Sequence, residues 1–306
     1  MNSGFAADLA RYGPDRLSAP VSPALAHSYC ARLTRRHYEN FTVASLLLPR
    51  QLLRHFHAVY AYCRWSDDLA DETGGGPRAL GLLRWWREEL QHCYEGRPRH
   101  PVTVALRPTV ERFGLPMRPF LDLLFAFEQD QLVRRYATFE QLLGYCRNSA
   151  NPVGRLVLYL CEVFSAERAA LSDHVCTALQ LANFWQDVAR DFAKGRVYLP
   201  EEDQRRFGYR REDLHARRFT PAFAALMRFE VARTRDLFYR GYPLVERMPP
   251  ALRSDIELFI RGGLGILRRI EQVGYDVWAR RPTLSKAKKA ALLAGALWRR
   301  LRKAVF

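Results

Sequence analysis

Long hydrophobic runs are absent from this sequence, and their absence excludes the first of several protein classes. No apolar run in the 306 residues approaches the length of about 18 residues that a membrane-spanning helix needs. The first 23 residues contain Asp8 and several prolines, and they lack the apolar centre of a secretory signal peptide. We therefore expect a protein that is neither exported nor inserted across a membrane.

Paired cysteines are lacking as well. The six cysteines are scattered, without a Cys-x-x-Cys pair and without the Cys/His spacing of a zinc site. This usage is typical of reduced, mostly buried thiols and predicts a cytoplasmic location. The residues are Cys30, Cys63, Cys93, Cys146, Cys161 and Cys176.

Acidic residues are scarce relative to basic ones, with 32 Asp and Glu against 48 Lys and Arg, which gives a formal net charge of +16. An excess of this sign suits nucleic acid, an anionic membrane surface or a small polyanion such as a diphosphate. The basic residues are dispersed and no nucleic-acid-reading motif is present, so we expect no nucleic-acid partner. The densest basic cluster consists of Arg205, Arg206, Arg210, Arg211, Arg217 and Arg218.

Strand-like alternation is missing, and apolar residues recur at spacings of three and four almost throughout. The pattern predicts one all-α domain over residues 24–306, preceded by an N-terminal arm over residues 1–23. Pro152 should interrupt the helix predicted over residues 138–164, and residues 199–219 should form a charged surface loop. The predicted helices span 24–36, 50–72, 78–95, 101–113, 116–133, 138–164, 168–194, 220–240, 250–280 and 284–304.

The first acidic motif lies within residues 60–72. Tyr60, Arg64, Asp67 and Asp71 follow i, i+4, i+7 and i+11, so they share one face of a helix. Two carboxylates one turn apart repel each other, and the pattern therefore favours a cationic partner. A solvated acidic face is the alternative interpretation of this motif alone.

A second motif of matching geometry lies within residues 180–200, where Gln180, Asn183, Asp187 and Asp191 follow i, i+3, i+7 and i+11. Two such helices facing each other across a cavity would offer oxygen ligands to Mg²⁺, which keeps several waters and completes its shell from a phosphate. Zinc is disfavoured because neither His nor Cys joins the pattern. Two unrelated surface stripes are the alternative. Basic residues suited to phosphate oxygens stand near both motifs: Arg64, Arg190, Lys194 and Arg196.

Such a site suits the ionisation of a diphosphate ester. Mg²⁺ neutralises the leaving group, and an apolar, largely dry cavity with aromatic walls protects the cation that remains. Most of the 18 Phe, 14 Tyr and 6 Trp are expected in the core. The candidates for the cavity wall are Phe41, Tyr60, Tyr145 and Phe184.

The two motifs, together with residues 195–200, 274–277 and 284–286, resemble the squalene/phytoene synthase family from about residue 27 to residue 289. The resemblance implies an all-α isoprenoid-synthase bundle with a central cavity, Mg²⁺ as cofactor and a prenyl diphosphate substrate. It implies diphosphate contacts from Arg64, Arg196 and Arg280, with His37 and Gln180 on the same side. The metal ligands it implies are Asp67, Asp71, Asn183, Asp187 and Asp191.

One branch of that family is the most similar. Residues 39–45 resemble the Glu-Asn-Phe-Pro-Val-Ala-Ser signature of bacterial hydroxysqualene synthases, with Thr42 in place of Pro. Residues 147–154 are also similar to that branch, and Gly262 and Gly263 stand where some relatives have a Tyr. The resemblance implies a lyase that converts presqualene diphosphate and water to hydroxysqualene and diphosphate in hopanoid and squalene biosynthesis, without a nicotinamide cofactor. The family alternative is a transferase that condenses two prenyl diphosphates.

Two details stay open at this stage. Asn148 and Asn151 flank the predicted helix break, where they either orient the capturing water or satisfy backbone groups freed by Pro152. The cationic, amphipathic residues 285–303 either pack as the last helix or rest on anionic lipid. We favour packing, with some peripheral contact at the inner face of the membrane. We also expect partner enzymes of squalene biosynthesis.

Overall fold

The computed structural model describes residues 3–16, 20–36 and 51–302. These residues form fifteen α-helices and no strand, with one isolated parallel bridge between Arg135 and Val197. The prediction of an all-α protein is thus confirmed. The chain groups into two compact units, one of residues Met1–Leu132 with Arg155–Phe164 and one of Val133–Gly154 with Ser165–Phe306.

The first unit contains six complete helices and the larger part of a seventh, α8. They are α1 Ser3–Tyr12, α2 Pro23–Arg36, α3 Leu53–Asp71, α4 Gly76–Tyr94, α5 Pro101–Phe113, α6 Arg118–Leu132 and α8 Asn151–Leu160, whose first residues belong to the second unit.

Large aromatic side chains fill the core of the first unit. Trp65 of α3 stacks on Trp86 of α4 at 5.4 Å between ring centroids, and Trp86 stacks on Tyr62 of α3 at the same distance. The indole of Trp65 donates to the Tyr29 hydroxyl and that of Trp86 to the Ser66 hydroxyl, so both buried N–H groups are satisfied. Helix α3 is therefore held on its apolar side, which leaves the opposite side for the acidic motif.

Helix α1 is a finding that apolar periodicity did not predict, because residues 1–23 were expected to form an arm. Phe5 and Tyr12 are buried: Phe5 meets the edge of Trp65 at 5.3 Å and Tyr12 that of Tyr29 at 5.2 Å. Tertiary contacts stabilise this ten-residue helix, which is too short to be stable alone in water.

The second unit is built around its longest helix. Its members are α7 Phe139–Ser149, α9 Ala166–Ala193, α10 Glu201–Arg206, α11 Arg211–His215, α12 Pro221–Gly241, α13 Leu244–Arg247, α14 Pro250–Gln272 and α15 Lys286–Arg302.

Helix α9 begins at a side-chain cap and lies against α12 and α14. The Ser165 hydroxyl accepts from the backbone N–H of Arg168, which satisfies one of the free donors at the helix start. The indole of Trp185 donates to the hydroxyl of Thr234 on α12 at 2.7 Å. Gly263 of α14 lies so close that a Cβ atom there would be 2.2 Å from the Phe238 ring. The same Cβ atom would lie 3.0 Å from Leu179 Cδ2 of α9, so the absence of a side chain at Gly263 lets α14 approach both α9 and α12.

Three stretches differ from the predicted helix boundaries. Residues 199–219 form α10 and α11 instead of an irregular surface loop, and Tyr209 and Leu214 in this stretch are buried. The helix predicted over 250–280 ends at Gln272, because Gly274 and Tyr275 take positive φ values of 65° and 68°. The helix predicted over 138–164 is two helices, as the interruption at Pro152 predicts, and its second half ends at Leu160.

Candidate active site

The acidic motif of the first unit occupies the C-terminal half of α3. Tyr60, Arg64, Asp67 and Asp71 lie on one helix, as their spacing predicts. Asp71 is exposed and the Asp67 side chain is 41% exposed, so both carboxylates are accessible to a ligand. Burial raises the pKa of Tyr60 to about 12.

Arg64 binds the neighbouring carboxylates of its own helix. Its Nη1 lies 3.0 Å from Asp67 Oδ2, its Nε donates to Asp68 Oδ2 at 2.9 Å, and its Nη2 contacts Asp68 Oδ1. Asp68 is almost fully buried, and a buried carboxylate needs such a paired cation. Our sequence analysis missed this role of Asp68, although the i, i+4 spacing to Arg64 was a usable signal.

The acidic motif of the second unit follows the exposed side of α9. Asn183 is exposed, whereas Gln180, Asp187 and Asp191 are half-buried. The interleaved apolar residues Leu181, Phe184, Trp185 and Val188 are buried. Helix α9 thus has a polar stripe and an apolar side, on which Phe192 is half-buried.

Asp187 is held by Arg281, which lies beyond the end of α14. The guanidinium of Arg281 donates from Nε to Asp187 Oδ1 at 2.5 Å and from Nη2 to Asp187 Oδ2 at 2.8 Å. Its Nη2 also donates to Gln186 Oε1 at 3.3 Å, and the Gln186 amide binds the carbonyl of Pro282. This two-pronged pairing is the geometry that a guanidinium also offers to a phosphate.

Arg281 is a site residue that the sequence analysis missed. It stands directly after Arg280, the arginine that the resemblance implied, and the Arg280 side chain is exposed. The dipeptide was the available signal, but only the backbone of residues 281–285 decides which of the two side chains reaches α9. The role of Arg280 at a diphosphate stays a prediction.

Asp191 and Arg196 line a small cavity at the C-terminal end of α9. The cavity measures about 10 Å³, room for about one water molecule. The chain turns there at Gly195, with φ of 76°, and the backbone N–H of Arg196 donates to the Asp191 carbonyl at 2.8 Å. The other walls are apolar and include Phe184, Tyr198 and Trp278.

Four aromatic rings form one group beside the same part of α9. Phe184 and Tyr198 stack at 3.7 Å between centroids, Tyr145 lies 6.0 Å from Phe184, and Tyr136 stacks on Tyr198 at 5.9 Å. The predicted wall residues Tyr145 and Phe184 are thus brought together, and Tyr136 and Tyr198 join them. Such faces favour a nearby positive charge.

Comparison with known proteins decides the family. Residues 34–288 match the model of the squalene/phytoene synthase family. The chain belongs to this family. The match covers both acidic motifs and ends within α15, in agreement with the resemblance that the motifs carry.

Individual members of the family are similar over most of their length. A solved structure of squalene synthase HpnC from Alicyclobacillus acidocaldarius is 44% identical, with a TM-score of 0.80, and the match covers 84% of this chain and 97% of that one. A solved dehydrosqualene synthase is 25% identical with a TM-score of 0.81, over 90% and 96% of the two chains. The phytoene synthase of Thermus thermophilus is 34% identical over 86% of this chain and 89% of its own length. The fold is therefore the all-α fold of this family.

The asparagines of this family member make ordinary structural contacts near the helix break. The Asn148 amide donates to the Gly144 carbonyl of its own helix at 3.2 Å. Asn151 is buried, and its Oδ1 accepts from the hydroxyl of Thr177 on α9 at 2.9 Å. Their role in placing water stays a prediction.

The remaining predicted site residues are placed as follows. Arg190 is largely exposed, with its Nε 3.8 Å from Asp187 Oδ1. His37 and Phe41 lie outside the described residues.

The donor sets on α3 and α9 consist only of oxygen ligands, which suits a hard cation such as Mg²⁺. Within the ranges that the structure describes, no group of three or more His, Cys, Asp or Glu side chains is arranged to hold a metal ion. Two carboxylates completed by waters and a substrate phosphate are nevertheless the usual binding mode of Mg²⁺, and the residues therefore fit that ion.

None of the helices that the structure describes is both long enough and apolar enough to traverse a lipid bilayer. Family membership makes the chain an enzyme that acts on prenyl diphosphates.

Proposed function

We propose that the protein is a hydroxysqualene synthase, which converts presqualene diphosphate and water to hydroxysqualene and diphosphate. The observation that carries this proposal is the higher identity to squalene synthase HpnC, 44%, than to the phytoene synthases, 34% for the Thermus thermophilus protein. The signature-like residues 39–45 and 147–154 support the same branch.

Mg²⁺ is the cofactor in this proposal. Asp67 and Asp71 of α3 would hold it, and so would Asn183, Asp187 and Asp191 of α9. When bound, the ion neutralises charge on the diphosphate and so makes it a better leaving group.

The arginines of the chain bind and orient the diphosphate. Arg281 already presents two N–H donors to a carboxylate of α9, and the same two donors match two phosphate oxygens. Arg190 lies beside that carboxylate, Arg196 lines the small cavity with Asp191, and Arg64 and Arg280 carry further positive charge. Gln180 contributes a neutral amide on the same stripe.

The chemical step needs no nucleophilic side chain. The bond between carbon and the diphosphate oxygen breaks, and the electron pair leaves with the diphosphate. The cyclopropylcarbinyl cation rearranges and opens, a water oxygen bonds to the cationic carbon, and the water loses one proton. The rings of Tyr145, Phe184 and Tyr198 favour the cation and limit the access of other waters. In this scheme Asn148 or Asn151 orients the one water that reacts.

The second candidate is the condensation of two prenyl diphosphates. It is favoured by the phytoene synthases among the relatives, including that of Synechococcus elongatus, 29% identical over 94% of this chain. Peripheral membrane contact through α15 and partner enzymes of squalene biosynthesis belong to either proposal, as does a cytoplasmic location.

An isotope experiment separates the two candidates. The purified protein is incubated with Mg²⁺ and presqualene diphosphate in ¹⁸O-water without reductant, and the products are analysed by mass spectrometry. We expect a triterpene alcohol carrying one ¹⁸O and an equal amount of released diphosphate. Turnover of farnesyl or geranylgeranyl diphosphate, with none of presqualene diphosphate, would contradict the proposal in favour of condensation. The Asp187→Asn variant, purified in the same way, serves as the negative control for turnover by contaminating enzymes.

A further inference from the structure

A cavity in the second unit stands apart from the acidic motifs in composition. It measures about 370 Å³ and lies among α14, α15 and the segment between them. Three of its wall residues are cationic and three are neutral hydrogen-bonding residues: Arg268, Arg269, Lys288, Gln272, Thr283 and Ser285. Its volume lies at the lower end of the range of about 300–1,000 Å³ that is typical of small-ligand sites.

The positive charge of this cavity is not neutralised locally. No Asp or Glu lines it, and neither Arg268 nor Lys288 forms an ion pair with any residue in the described parts of the chain. Arg269 donates to the amide oxygen of Gln272 at 3.0 Å, which is a neutral partner. A concave site with three uncompensated cations raises the local concentration of anions.

The backbone is adapted to this concavity at Gly265. A Cβ atom on Gly265 would lie 3.2 Å from Leu284 Cδ2, so the glycine lets residues 283–285 approach α14 closely. The same approach brings Thr283 and Ser285 to the cavity wall, where their hydroxyls add donors for oxygen atoms of a ligand.

We propose that this cavity binds a phosphate group. Two arginines and a lysine match the oxygens of a phosphate, because guanidinium groups bind two oxygens at once and an ammonium adds a mobile point charge. Free diphosphate and the headgroup of an anionic lipid share this chemistry.

The segment that lines this cavity is continuous in the chain with residues that contact the acidic stripe of α9. Arg281 and Pro282 contact Asp187 and Gln186, and the next three residues line the basic cavity. An anion that orders residues 283–285 therefore also restrains the segment that holds Asp187.

The test uses the full-length protein in EDTA, without metal or prenyl substrate, so that its outcome is independent of the proposed reaction. Binding of sodium diphosphate is measured by titration calorimetry. Binding of vesicles made of phosphatidylglycerol and phosphatidylcholine is measured by sedimentation, with pure phosphatidylcholine vesicles as reference. The test variant is Arg268→Gln with Lys288→Gln. The control is Arg205→Gln with Arg240→Gln, two exposed arginines of the same unit that do not line the cavity.

We expect the test variant to weaken binding at least tenfold in one arm and the control to change it less than twofold in both. Loss in the diphosphate arm identifies a soluble phosphate as the ligand, and loss in the vesicle arm alone identifies a lipid headgroup. Slower hydrogen exchange of residues 283–288 on binding would place the ligand at the cavity. Equal binding by both variants in both arms, or absence of binding by the unmodified protein, would overturn the proposal.

Discussion

The acidic motifs of α3 and α9 each carry two aspartates at i, i+4, but these aspartates have different partners in the structure. On α3, Arg64 binds Asp67 and Asp68 of its own helix. On α9, Asp187 is bound by Arg281, which lies 94 positions further along the chain. One motif is compensated locally, and the other depends on how the C-terminal segment folds.

The difference shows that two motifs with similar sequence patterns can have their carboxylates neutralised by cations from different parts of the chain. The α3 motif forms its ion pairs as soon as the helix forms, since i, i+3 and i, i+4 side chains are neighbours. The α9 motif has a longer contact within its own helix, 3.8 Å from Arg190 to Asp187, and gains its two-pronged guanidinium pair only when Arg281 lies against the helix. We therefore expect the aspartates of the two motifs to contribute equally to catalysis. We expect the ion pairs of the two motifs to contribute unequally to the free energy of unfolding.

Equal chemistry is the first part of the comparison to test. Asp71→Asn and Asp187→Asn should each lower kcat/KM for prenyl diphosphate by about 1,000-fold, because each removes a charged oxygen ligand worth several kcal/mol. Diphosphate release measures the effect, and Asp173→Asn on α9 serves as control. A large loss in one variant with near-normal activity in the other would show that only one motif binds metal.

Unequal stability is the second part. Arg64→Gln should lower the free energy of unfolding by about 3 kcal/mol, because it leaves the buried Asp68 carboxylate, 2% exposed, without its cation. Arg281→Gln should cost about 1–2 kcal/mol, because the Arg281 side chain is 34% exposed and Asp187 is 12% exposed, so solvent screens the pair. Urea unfolding followed by circular dichroism measures both. The reverse order of the two losses would break the comparison.

The third prediction concerns α3 alone: the free energy of unfolding should depend on pH through a buried histidine of this helix. His55 of α3 is buried beside the Thr109 hydroxyl, and burial together with nearby Arg54 lowers its pKa to about 4. The unfolded chain, with an ordinary histidine pKa near 6.5, binds more protons between these values. The contribution of His55 to stability is therefore full above pH about 6.5 and falls by about 3 kcal/mol as the pH drops towards 4.

The His55→Gln variant should flatten this acid limb in urea unfolding between pH 7 and 4. His215→Gln, an exposed histidine of α11, is the control and should leave the limb unchanged. An unchanged limb in His55→Gln would show that other groups, such as the buried His100 with its lowered pKa, cause the acid sensitivity.

Most helices were predictable, because their stability comes from one continuous apolar side that is written at a spacing of three and four. Helices α10 and α11 were not, because six and five residues are too short to show that period. Helix α1 was missed because its evidence is tertiary: without Trp65 and Tyr29, its Phe5 and Tyr12 have nothing to pack on.

The candidate site divides along the same line. The stripes on α3 and α9 were predictable from spacing, and so was any contact within one helix, such as that between Arg64 and Asp68. The choice of Arg281 over Arg280 was not, because it depends on the path of the chain after Tyr275 leaves the helical conformation. Local geometry can be derived from sequence, whereas a contact made by an irregular segment requires the fold.

The five residues from Arg281 to Ser285 have a practical consequence for protein engineering. They lead directly into α15, and the first of them, Arg281, holds Asp187. Replacing the segment from Arg281 through α15 would therefore change more than solubility or cellular localisation, because it would also remove the partner of Asp187. Variants with an exchanged C-terminal segment should be assayed for turnover, because this segment contains the arginine that binds Asp187 of the candidate site.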